Sequence, residues 1–261
     1  MPYAEVGGLK IFYEDTGGSG PALLFAHGFL MDNEMYAPQI AALRDRYRCI
    51  AFEQRGFGRT GPVVQPFSYW DSAKDALGVL DHLKIPAATL IGLSQGGFLA
   101  MRAALLAPER VKALVLFSTR SETDPETKYD EFRGLQTEWR ANGSANAHGF
   151  LADVLIGPAG SDYAPWFGKW AAMSKDALHE PINTLIGRDD LTPRLSEIKC
   201  PTIVFHGDAD AAIDIAHGEA LAKALPNNKG FVRVPGAGHA PNLTHAALVN
   251  PPLAEFLATH V

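Results

Sequence analysis

Ser94 stands in the run Gly92-Leu93-Ser94-Gln95-Gly96-Gly97, directly after an apolar stretch at 87–91 and directly before a helix-like stretch at 98–107. A strand that turns sharply into a helix lifts the side chain at the turn clear of the backbone, and flanking glycines let the chain fold back that tightly. A serine hydroxyl raised in this way suits nucleophilic attack, but at neutral pH it needs a base within hydrogen-bond reach, itself held by a carboxylate. Of nine histidines, His239 fits the base best, because Pro235-Gly236-Ala237-Gly238-His239-Ala240-Pro241 is a loop between the last expected strand and the last expected helix. The carboxylate is expected from the loop after the preceding strand, His206-Gly207-Asp208-Ala209-Asp210. Asp210 is favoured for its reach along the sheet edge, and Asp208 is assigned to the turn. Glu122, the nearest acid after the strand Val111–Phe117, is the alternative.

Attack on a carbonyl creates an oxyanion, which needs two preorganised N–H donors. Gln95 opens a helix, so its backbone N–H has no partner inside that helix and sits at the positive end of the dipole. The second donor is expected from His27-Gly28-Phe29-Leu30, with the Phe29 N–H first and that of Leu30 next. His27 is read as a brace for this loop.

These residues need a scaffold that brings distant loops to one edge. Short apolar runs at 22–26, 49–52, 88–93 and 111–117 alternate with helical patterns at 35–43, 70–83 and 98–106, after an alternating strand at 10–14. Such alternation predicts an α/β fold with a mostly parallel central sheet flanked by helices, and in open parallel sheets ligands bind outside the carboxyl ends of the strands. The pattern breaks at Thr119 and returns with strands at 202–205 and 230–234 and helices at 215–225 and 243–258. Residues 1–119 and 196–261 are therefore read as one core domain. Residues 120–195 are read as a helical cap inserted over its edge, with short helices at 131–142, 150–156 and 163–173.

The chain has 261 residues, 47% of them hydrophobic, enough for a sizeable core. A net charge of -6 without a dense basic run argues against nucleic acid as a partner. Cys49 and Cys200 make no disulfide framework, and no Cys or His lies at zinc spacing beside them. No metal and no cofactor is expected. Without an apolar leader or a run long enough to span a bilayer, the chain is read as cytoplasmic, with no membrane partner, acting as a monomer or homodimer.

In order, His27-Gly28-Phe29, Arg55-Gly56-Phe57-Gly58, Gly92-Leu93-Ser94-Gln95-Gly96-Gly97, Gly207-Asp208-Ala209-Asp210 and Gly236-Ala237-Gly238-His239 resemble the motifs of the α/β-hydrolase superfamily over nearly the whole chain outside the cap. The nearest likeness is to small bacterial esterases, enol-lactonases and cofactor-free haloperoxidase-like enzymes. The resemblance implies a triad of Ser94, Asp210 and His239 in that chain order, with oxyanion donors Phe29 and Gln95. Two positions depart from the pattern. Glu53 ends the strand before the Arg-Gly-Phe-Gly turn where the family often has Asp, and Gln95 follows the serine where it often has Met.

The expected substrate is a small ester or lactone, apolar or aromatic. Trp139, Phe150, Trp166 and Trp170 concentrate aromatic area in the cap, Leu30, Met31 and Phe98 are candidates for the pocket floor, and Arg120 is placed to meet a substrate carboxylate. Two other activities use the same constellation, carbon–carbon bond hydrolysis and peroxide-dependent acyl transfer. A slow-turnover ligand receptor is the third reading.

Overall fold

The computed structural model describes residues 2–157 and 163–261; residues 158–162 of the expected cap lie outside them. Eight strands form one sheet: β1 (Tyr3–Val6), β2 (Leu9–Asp15), β3 (Ala22–Ala26), β4 (Arg48–Phe52), β5 (Ala88–Leu93), β6 (Val111–Phe117), β7 (Thr202–Gly207) and β8 (Asn228–Val234). Their order is β1-β2-β4-β3-β5-β6-β7-β8. β2 pairs antiparallel with β1 and with β4, and every pairing from β4 to β8 is parallel.

Parallel strands buried on both faces must supply apolar side chains to each in turn, and they do so with period two. Leu23, Phe25, Ile91, Val115 and Phe205 face one layer, closed by α1 (Ala37–Leu43) and α10 (Ala246–His260). Leu24, Leu90, Leu114, Leu116 and Val204 face the other, closed by α2 (Tyr69–His82), α3 (Gln95–Leu106) and α8 (Ile215–Ala224). A reciprocal cap starts α2: the Ser68 side chain accepts from the Asp71 N–H while the Asp71 carboxylate accepts from the Ser68 N–H.

Between β6 and β7 lie α4 (Glu126–Asn142), α5 (His148–Leu155), α6 (Ala164–Ala172) and α7 (His179–Ile186), followed by a 3-10 turn at Thr192–Glu197. Several expected elements change. β1 was not anticipated; it is a four-residue strand made possible by Gly7 and Gly8, whose φ values of 55° and 83° turn the chain back into β2. α4 begins five residues early, α7 is new, and the closing helix is split at His245 into α9 (Pro241–Thr244) and α10. Among the described residues no helix is long and apolar enough to cross a membrane.

Candidate active site

The parallel strands place five loops at one sheet edge: Phe29 follows β3, Ser94 follows β5, Arg120 follows β6, Asp210 follows β7 and His239 follows β8. Ser94 takes φ 53°, ψ -115°, a conformation that strains any residue except glycine. The surroundings hold it there. Its N–H donates to the Phe117 carbonyl at 2.9 Å, and its own carbonyl accepts from the Thr119 hydroxyl at 2.9 Å.

α3 starts at Gln95, as expected, and its first turn takes in the two glycines ahead of the apolar stretch that begins at 98. They are glycines for lack of room. A Cβ on Gly96 would run into the Ala26 carbonyl, and one on Gly97 would lie 2.6 Å from the Thr119 hydroxyl oxygen.

His239 Nδ1–H donates to both carboxylate oxygens of Asp210, at 2.8 and 3.0 Å, leaving Nε2 as the ring's acceptor. The Asp210 side chain is fully buried. Burial opposes its ionisation, but the His239 ring, a hydrogen bond from His206 and backbone N–H donors outweigh it and hold the carboxyl well below the usual range. The Ala212 and Ile213 N–H groups donate to Oδ1 at 2.8 and 3.0 Å, and His206 Nε2 lies 3.1 Å from Oδ2. His206 stands in the His206–Asp210 sequence motif, which by itself does not mark it as a partner of Asp210. Its signal is the spacing of four residues to Asp210 across a turn that closes on itself.

Asp208 is exposed and accepts from the Gly236 N–H at 2.7 Å, bracing the loop that carries His239. Glu122 is placed elsewhere: its carboxylate lies 3.3 Å from His217 Nδ1 and accepts from the Ser121 N–H.

A cavity of about 240 Å³ joins Ser94, Gln95 and His239 to Phe29, Phe98 and Arg120. Among the described residues no hydrogen bond joins the Ser94 hydroxyl to His239, although both line this cavity. The Phe29 and Leu30 N–H groups likewise donate to nothing among the described residues. His27 braces their loop: Nδ1–H donates to the Gly28 carbonyl at 2.8 Å and Nε2 accepts from the Gln54 N–H at 2.9 Å. Burial pushes this ring down to about 4, so it stays neutral.

Phe150 from α5 lines the cavity at its rim, with Phe132 and Leu135 of α4 and Leu185 of α7. Trp139, Trp166, Trp170, Leu30 and Met31 do not line it. All five are buried in packing. The Trp139 Nε1–H donates to the Ser174 carbonyl at 3.1 Å, that of Trp170 to the Leu30 carbonyl at 2.7 Å, and Lys169 lies over the Trp166 ring. Large side chains with one donor were more useful in joining helices than in lining space.

Arg120 does line the cavity, but it is paired with Asp124, an acid that sequence reasoning passed over. Arg188 donates to the same Asp124 at 2.6 Å. Burial and the nearby Arg188 push Arg120 down to about 10, still cationic at neutral pH.

A fold of this topology, with a strained serine between β5 and α3 and a His–Asp pair after β8 and β7, is that of an α/β hydrolase. The α/β-hydrolase fold family model matches residues 21–157, and the chain belongs to that family. A non-heme haloperoxidase of Rhodococcus erythropolis is 30% identical over 98% of this chain and 99% of that protein. An esterase of Thermogutta terrifontis superposes with a TM-score of 0.89 at 26% identity, covering 100% of this chain and 98% of that one. An enol-lactonase of Burkholderia xenovorans does so with a TM-score of 0.89 at 25% identity, covering 98% and 100%.

Proposed function

We propose that this chain is a serine hydrolase that cleaves a small carboxylic ester or lactone through an acyl-enzyme on Ser94. The His239–Asp210 pair, set on the same cavity as Ser94, carries the reading. Ser94 Oγ attacks the carbonyl carbon as His239 Nε2 takes its proton, and the tetrahedral oxyanion rests on the Phe29 and Gln95 N–H groups. Collapse breaks the bond to the alkoxy oxygen, which leaves with the proton from His239. Water then gives a proton to His239 and its oxygen to the acyl carbon; the bond from Ser94 Oγ to that carbon breaks, His239 returns the proton to Oγ, and the acid leaves. Asp210 fixes the tautomer and orientation of the imidazole throughout.

Residues 120–195 act as a cap in this reading, since α4, α5 and α7 supply apolar walls. The cavity is below the range of about 300–1,000 Å³ usual for drug-sized ligands, so short acyl chains on apolar or aromatic alcohols suit it best. Likeness to a haloperoxidase favours one second reading, in which hydrogen peroxide replaces water at the acyl-enzyme and the product is a peracid.

Mass spectrometry after treatment with an aryl phosphonate is expected to find one adduct, on Ser94. An unmodified Ser94 rejects the mechanism. Ester and lactone panels of graded chain length, with and without peroxide, then separate the two readings.

A further inference from the structure

Gln95 is 2% exposed and lines the catalytic cavity. Its Oε1 accepts from the Tyr69 hydroxyl at 3.3 Å, while its Nε2 is buried with no hydrogen-bond partner among the described residues. A buried donor left unmet is costly, and an apolar side chain of equal length would avoid the cost. The amide is also held in place. Tyr69 is packed edge-on against Phe98 at 5.3 Å, and the Arg102 guanidinium lies 5.7 Å from the Tyr69 ring centre. Arg102 is itself fixed by Asp189 at 2.6 Å. Burial raises the Tyr69 phenol above its usual range, so the hydroxyl remains a donor, and donation to an amide oxygen strengthens the amide's own N–H bonds.

The position of Gln95 indicates which part of a substrate it meets. Its backbone N–H serves the oxyanion, so its side chain reaches only atoms a few bonds from the carbonyl. His239, after β8, must reach the leaving group to protonate it. Tyr69 belongs to α2, which packs beside α3 and against β1 at the opposite end of the sheet order. The Tyr69-bound amide thus lies on the side of Ser94 away from β8 and His239, the side left to the acyl group when the leaving group meets His239.

We propose that the Gln95 side-chain amide donates to a second acceptor on the acyl group, so that the enzyme prefers acyl chains carrying an oxygen on the α- or β-carbon. Tyr69 is a positioning residue for that amide. This inference rests on Ser94 being the nucleophile and Gln95 its neighbour in the oxyanion site.

The test is a matched pair, p-nitrophenyl methoxyacetate and p-nitrophenyl butyrate, which differ by one oxygen in place of a methylene. The ratio of their kcat/KM values is measured for wild type, Gln95→Met and Tyr69→Phe, so that any loss common to both substrates cancels, as does intrinsic reactivity. Gln95→Met is expected to lower the methoxyacetate-to-butyrate ratio about tenfold, and Tyr69→Phe by a smaller factor. An unchanged ratio in Gln95→Met overturns the proposal. Should neither variant fold, wild-type inhibition by the product acids decides: methoxyacetate must bind more tightly than butyrate, and equal inhibition constants overturn the proposal. Ser94→Ala separates the two layers. Turnover surviving in Ser94→Ala rejects the nucleophile and this inference together, whereas a dead Ser94→Ala with an unchanged ratio in Gln95→Met rejects the amide alone.

Discussion

Asp210 sits between two imidazoles, His206 and His239, with two backbone N–H groups on one oxygen. Asparagine there would keep the shape while presenting an amide to His239 Nδ1, which favours the wrong tautomer. Asp210→Asn is expected to lower kcat about 10³–10⁴-fold, and Glu122→Gln to change it little, in steady-state assays. Equal losses would return Glu122 to the site. His27 gives a separate pH signature. Its folded value is depressed from 6.5 to about 4, so between those values the unfolded chain binds a proton that the native ring does not. Stability is therefore lost as the pH falls through that window, by on the order of 3 kcal/mol in all. Urea unfolding at pH 7.5 and 4.5 is expected to show a smaller difference for His27→Gln than for wild type.

At the scale of elements, the turn from β5 into α3 was the most legible part of the chain, because glycine spacing and an apolar strand run leave few other conformations. The backbone strain at Ser94 gives it a test in stability. Ser94→Gly is expected to be more stable than Ser94→Ala by about 1–3 kcal/mol in chemical denaturation, since only glycine adopts φ 53°, ψ -115° without strain. The reverse order would show that the turn is relaxed. Less legible were β1, too short for an alternating pattern to stand out, and α7, which carries Pro181 inside an eight-residue helix. Asp124 was hidden for another reason. Its spacing of four residues from Arg120 is local, but its second partner, Arg188, lies 64 residues away, and no local pattern announces that pair.

For the whole molecule, the aromatic content of 120–195 was visible in the sequence but its use was not. Composition cannot say whether a tryptophan lines a space or fills a joint. Trp170 fills one: it ties α6 to the carbonyl of Leu30, whose φ of 58° belongs to the same loop as the Phe29 N–H. Lys169, one residue earlier, is paired with Asp32 at 2.5 Å and Glu34 at 2.8 Å beyond that loop. Trp170→Phe is expected to cost about 1–3 kcal/mol of stability, and to slow phosphonylation of Ser94 as well. Normal labelling in a destabilised variant would uncouple the two.

The Trp170 bond also constrains traffic. If α6 swung outward like a hinged lid, it would pull on the loop that carries the Phe29 N–H, one of the two groups that receive negative charge in the proposed mechanism. Phe150, which lines the cavity and is 66% exposed, belongs to a different helix, α5. The exposed side of the cavity and the support of the Phe29 loop thus fall to separate helices, so α5 can shift without disturbing the contact that α6 makes with that loop.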